Sequence, residues 1–224
     1  MNSSKLKLWL MFVIGFVFIG IVLFLAAGTM QYWQAWIYLA VSGVTSVLLT
    51  LYITKDPILL ENRTKVGLNA ELRPIQKILV WCMGLVWIGL FLVPGLDRRF
   101  GWSSVPSWLS IGGDLLVIVS MWMVYRVFKE NSFASATVEI GKEQKVITAG
   151  PYAIVRNPMY SSAVVYFIGM SLSLGSYWGL LPSIFMTLGF VWRLLDKEKF
   201  LAQNLPDYAE YCAKVHWHLV PGIF

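Results

Sequence analysis

The sequence predicts an all-α integral membrane protein: about six transmembrane helices (five to six), a cytoplasmic C-terminal catalytic region and a small β-hairpin loop. Three observations predict it. Of the 224 residues, 58% are hydrophobic and 13% charged, whereas a soluble domain is nearer half apolar and a quarter charged. The apolar residues gather into runs close to the roughly 20 residues that a helix needs to cross a bilayer. The basic residues gather between alternate runs, as they do in membrane proteins of fixed orientation.

In chain order the runs are Leu8–Ala27, Trp33–Ile53, Ile78–Pro94, Pro106–Phe128, Tyr160–Leu174 and Tyr177–Leu195. The first is too long for the apolar core of a signal peptide, which spans about 7–15 residues, and reads as a retained membrane helix. The fifth is short for a full span. The last two, separated by Gly175-Ser176, read as a tight helical hairpin. With the N-terminus inside, only Arg98 and Arg99 of the 18 Lys and Arg fall outside the inner segments. That asymmetry places both termini in the cytoplasm. Thr137-Val138-Glu139-Ile140, Gly141-Lys142 and Glu143 to Thr148 read as a β-hairpin turning at the glycine. Trp33, Trp36, Trp102, Trp108 and Trp178 lie at run ends and read as interfacial anchors. The chain reads as one membrane domain. Residues 1–128 form an N-terminal helical part with about four spans, and residues 129–224 a cofactor-binding and catalytic part.

The net charge of +6 is explained by the inner loops and gives no reason to expect nucleic acid. Cys82 and Cys212 read as free thiols, and His216 and His218 are too few ligands for a metal site. No Ser-His-Asp set, Walker loop or dinucleotide fingerprint occurs.

The most informative stretch is Gly150-Pro151-Tyr152-Ala153-Ile154-Val155-Arg156-Asn157-Pro158-Met159-Tyr160. It sets phenols, a guanidinium and two prolines between apolar runs. Non-helical backbone at membrane depth needs protein or a cavity around it, so a ligand is sought here first. A helix starting near Pro158 would expose N–H groups that attract a carboxylate. Arg193 and Glu198 follow the sixth run. Five residues of helix turn about 500 degrees, so these two side chains are not expected to pair directly; they read either as an ordinary charged helix end with Arg193 snorkelling or as the lining of two parts of one pocket. Tyr208 and Tyr211 share a face of a tail helix.

Taken together, Gln144-Lys145-Val146-Ile147-Thr148-Ala149-Gly150-Pro151-Tyr152, then Arg156-Asn157-Pro158-Met159-Tyr160, then Arg193, Glu198, Tyr208 and Tyr211 resemble the isoprenylcysteine carboxyl methyltransferase family in its bacterial form. The resemblance runs from about Asn131 to Phe224. It implies a membrane enzyme of the bacterial cytoplasmic membrane that uses S-adenosylmethionine. By resemblance, Gln144, Lys145, Val146, Ile147, Gly150 and Tyr152 enclose the cofactor. Arg156, Asn157, Pro158, Met159 and Tyr160 lie at its other side, and Glu198 contacts it from the last helix. Arg193 faces the methyl acceptor, so Arg193 and Glu198 are the expected catalytic pair. Two departures stand out: Asn157 replaces the family's histidine, and Lys197-Glu198 replaces its acidic pair. The expected acceptor is lipidic or amphipathic, with the carboxylate of an isoprenylcysteine-like molecule as the example the resemblance supplies. A carboxylate is ionised at neutral pH and needs no base. Two other readings share the turn: a sterol-reductase-like enzyme using NADPH, and a non-catalytic membrane protein.

Overall fold

The computed structural model describes residues 3–64, 74–134, 146–205 and 207–224. The described residues form helices and no strands. They are α1 (Ser3–Ala27), α2 (Trp33–Ile53), α3 (Pro57–Thr64), α4 (Pro74–Phe100), α5 (Ser107–Glu130), α6 (Pro158–Ser173), α7 (Leu180–Asn204) and α8 (Tyr208–Lys214), with a 3-10 turn at Gly150–Ala153. The β-hairpin expected between Thr137 and Thr148 falls largely outside the described residues, as do Gln144 and Lys145.

Four helices among the described residues are long and apolar enough to cross a membrane: α1, α2, Ile78–Phe100 of α4, and α5. The fifth and sixth runs fold as α6 and α7 but do not meet that measure. With 16 residues, α6 is about 24 Å long at 1.5 Å per residue, short of a hydrocarbon core of about 30 Å. Helix α7 has 25 residues, but Arg193, Asp196, Lys197, Glu198 and Lys199 crowd its second half. The third run was expected to stop at Pro94; α4 continues through it to Phe100. Next to it, the buried Tyr32 hydroxyl donates to the Leu174 carbonyl and lies 3.5 Å from that of Pro94.

The surface departs from that of a soluble protein. Leu10, Ile14, Val17, Ile21 and Leu25 of α1 point outward, as side chains facing lipid do. The expected anchors Trp33, Trp36, Trp102, Trp108 and Trp178 are likewise exposed. Inside, Leu23, Tyr38, Leu90, Phe91, Val117, Phe167 and Met170 form the main cluster. Lipid gives helices no hydrophobic reason to associate, so small residues and polar contacts take over. Helices α5 and α6 meet most closely at Gly113 and Gly169. A Cβ on Gly113 would lie 2.3 Å from the Ser173 nitrogen, and one on Gly169 would lie 2.8 Å from the Leu116 Cβ. Buried Asp114 accepts from the Ser173 hydroxyl beside that contact, and the Ser171 and Ser183 hydroxyls join α6 to α7 at 2.9 Å.

Beyond the C-terminal end of α6 lies a second polar cluster. Asp97, 1% exposed, accepts from the Ser103 N–H and hydroxyl, each at 2.6 Å, and from the Ser176 hydroxyl. This ties the end of α4 to the α6–α7 connection. The N-terminal end of α6 carries the residues of interest.

Candidate functional site

Glu198 lies on the polar half of α7 and is 8% exposed. Its carboxylate is held by three side chains. The Asn157 amide donates at 2.5 Å, the His218 Nδ1 lies 2.9–3.0 Å away, and the Arg156 Nη1 is 3.4 Å away. Arg156 also donates from Nε to the Val215 carbonyl at 2.6 Å and from Nη2 to the Cys212 carbonyl at 2.9 Å. Its fork is therefore fixed in direction.

Local sequence explains how these residues meet. Pro151 and Pro158 forbid a continuous helix through the turn. Gly150 takes φ +59, and a Cβ there would come within 2.6 Å of the Glu130 side chain. The chain then opens α6 at Pro158, the first-turn position that suits proline. Asn157 is the N-cap, yet its side chain makes no cap hydrogen bond and turns to Glu198 instead. The anion thus sits at the positive end of the α6 dipole.

The C-terminal tail straps the turn in place. The Arg156 N–H donates to the Trp217 carbonyl at 2.9 Å and the Asn157 N–H to the His218 carbonyl at 3.1 Å. The Ser161 hydroxyl donates to the Leu219 carbonyl at 2.6 Å. Behind the strap, Tyr208 and Tyr211 are buried with Leu201 and Val215, and Val146 packs on them. The Tyr211 hydroxyl donates to the Tyr152 carbonyl at 2.8 Å, and the Tyr152 hydroxyl accepts from the Asn131 amide at 2.8 Å. Burial raises the Tyr152 phenol, so it stays neutral.

The structure therefore brings Arg156, Asn157 and Glu198 into contact, with Tyr152 one hydrogen bond behind the strap. Arg193, 7% exposed, sits about 7.5 Å earlier along α7 at 1.5 Å per residue. It belongs to a neighbouring basic group. The Lys197 amine lies 5.9 Å from the centre of the Tyr160 ring. Burial pulls that amine down to about 8, with the charges of Arg63 and Arg193 adding to the effect and Glu198 opposing it. Tyr160 packs edge-on to Phe190 at 5.2 Å. The Met159 sulfur accepts from the Arg63 Nη2 at 3.0 Å.

Three contributors were not identified from sequence. His218 read as half of a lone His-x-His, Arg63 as a loop charge and Lys197 as a departure from an acidic pair. His218 has a retrospective signal: the histidine expected at 157 is absent, and an imidazole from the tail reaches the same carboxylate.

Residues 108–206 match the family model for phospholipid methyltransferases. The chain is also similar to the phosphatidylethanolamine N-methyltransferases of Saccharomyces cerevisiae strains YJM789 and AWRI1631. Each is 25% identical over 122 residues, covering 49% of this chain and 14% of the relative. The matched part thus spans about one seventh of those proteins. The family-model match contains Arg156, Asn157, Arg193, Lys197 and Glu198, and leaves out Arg63 and His218. The family-model match therefore centres on the C-terminal half of the chain, where the turn and α7 lie.

Proposed function

We propose that the chain transfers a methyl group from S-adenosylmethionine to the head of a membrane lipid at the end of α6 that carries Asn157. The observation that carries this reading is the Glu198 carboxylate, buried and oriented by Arg156, Asn157 and His218 within a stretch similar to phospholipid methyltransferases. The residues present suit the cofactor by their chemistry. A carboxylate and a guanidinium complement the ammonium and carboxylate of its amino-acid end, and the Tyr152 and Tyr160 rings suit a sulfonium through cation–π attraction. Val146, Ile147, Gly150, Pro158 and Met159 complete the proposed wall, and Gln144 and Lys145 are proposed to extend it.

When bound, S-adenosylmethionine supplies an electrophilic methyl on a positively charged sulfur. The protein then has to align the acceptor and exclude water. The relatives' name makes the amine of phosphatidylethanolamine the first acceptor to consider. An ammonium must shed a proton before its nitrogen can attack. Lys197, with its amine near 8, is suited to take that proton and return it to solvent. Arg193 is proposed to face the methyl acceptor. A carboxylate acceptor of the isoprenylcysteine type would need no base, so it predicts that Lys197 is dispensable.

The test is transfer of labelled methyl from S-adenosylmethionine by the purified full chain in nanodiscs, offered phosphatidylethanolamine or a farnesylcysteine. Label on the ethanolamine lipid, lost in Lys197→Met, supports the reading. Label on the farnesylcysteine alone moves the acceptor to the carboxylate class, and label on neither lipid overturns methyl transfer.

A further inference from the structure

The geometry points to Arg63 and the cavity beside it as a binding site for a membrane phospholipid, its phosphate on the guanidinium and an acyl chain in the slot. This deepens the function proposed above and depends on it only for the reaction that follows binding.

The cavity holds about 380 Å³, within the roughly 300–1,000 Å³ of ligand pockets. It lies between α2, α5 and α6. Leu49, Ile53, Val124 and Ala163 make its walls apolar, and Arg63, Phe128 and Met159 close one end. A second cavity of about 450 Å³ shares Leu49 and Met121 with it and is lined by Tyr52, Lys55 and the exposed Trp122. The two cavities are thus neighbours, with Leu49 and Met121 lining both. An elongated apolar ligand entering between α2 and α5 would pass from one to the other.

Arg63 is the charged group of the cavity's lining. Its Nε is buried without a hydrogen-bond partner. Its Nη2 is given to a thioether, a weak acceptor, and its guanidinium lies 4.5 Å over the Phe128 ring. A buried donor left unmet needs an explanation, and a bound anion is one. Position in the last turn of α3 complements the helix dipole, but that leaves Nε unmet. Burial lowers the guanidinium to about 10, opposed by Tyr152 and Tyr160, so it keeps its charge at neutral pH. A planar fork beside an apolar slot is complementary to an anion carrying a hydrocarbon chain, and phosphate matches the fork bidentately. Lys197 feels the charges of both Arg63 and Glu198, so a phosphate here sets the lipid head near the Glu198 cluster.

The experiment is photolabelling of the full chain in nanodiscs, using a phosphatidylethanolamine with a diazirine on its acyl chain. The variants are Arg63→Ala, Arg63→Lys and Met121→Trp, the last filling the shared wall. The expected result is label on the α5 and α6 walls near Val124 and Ala163. It should fall at least fivefold in Arg63→Ala and Met121→Trp and about twofold in Arg63→Lys, with unchanged melting temperature in Met121→Trp. Equal labelling in all four proteins, or label confined to outward residues such as Ile14, overturns the site. So does equal competition by a fatty acid, which would replace phosphate with a carboxylate. Labelling without methyl transfer would remove the proposed reaction and leave this site standing, whereas transfer without labelling would do the reverse.

Discussion

Asp97 and Glu198 are both buried carboxylates at opposite ends of α6, and they are held by different chemistry. Asp97 receives one backbone N–H and two serine hydroxyls. All are neutral and all come from the connections between helices. Glu198 receives an amide, an imidazole and a guanidinium. Two of those donors are cationic or able to become so, and each comes from the turn or the tail. A carboxylate satisfied by neutral, local donors fastens a fold. One held by charged and ring donors from a turn and a tail can exchange a partner for a ligand. Burial alone would have ranked the two alike.

Neutral isosteres at both positions separate the two roles. The largest effect is expected from Asp97→Asn. Its new amide opposes donors already in place, and each stranded donor costs about 1–3 kcal/mol. We expect a loss of about 3 kcal/mol in thermal unfolding in detergent, with the affinity of the remaining folded protein for S-adenosylmethionine unchanged. Next comes Glu198→Gln. Hydrogen bonds to charged groups contribute roughly 1.5–3 kcal/mol, so cofactor affinity should fall roughly 10–100-fold, with less loss of stability than at Asp97. Equal destabilisation by both variants, with affinity intact in each, would erase the distinction between the two carboxylates.

A smaller effect should appear at Lys197. The unfolded chain keeps this proton up to about 10.5, and the folded chain releases it at about 8. Between those values the unfolded state binds more protons, so this residue makes stability rise with pH across that window. In Lys197→Met that rise should vanish, read as melting temperature against pH from 7 to 11; an unchanged profile would show that the amine is not depressed. The smallest effect is Tyr211→Phe. It removes one hydrogen bond to the Tyr152 carbonyl and should cost about 0.5–1.5 kcal/mol, with affinity following only weakly.

The two carboxylates also show what a sequence can disclose. The turn around Asn157 was legible because its prolines, glycine and polar residues are contiguous. Arg193 and Glu198 were legible because charges at the end of an apolar run are conspicuous. His218 was not, because its partner lies 20 positions away and the tail must fold back before they meet. Arg63 was read for topology, since one sequence cannot distinguish a loop charge from a buried one with an unmet donor. The helical class was plain from the apolar runs, yet their ends shifted. Helix α4 runs through Pro94 to Phe100, and α7 extends nine residues past Leu195, carrying Lys197 and Glu198 with it.

The central claim is that the Glu198 cluster receives the methyl donor. It is tested most directly by titrating S-adenosylmethionine into wild type, Glu198→Gln and Asp97→Asn by calorimetry in one detergent. We expect saturable binding to wild type and Asp97→Asn with similar affinity, and binding at least tenfold weaker to Glu198→Gln. Equal affinity in wild type and Glu198→Gln, or no saturable binding to wild type, would contradict it.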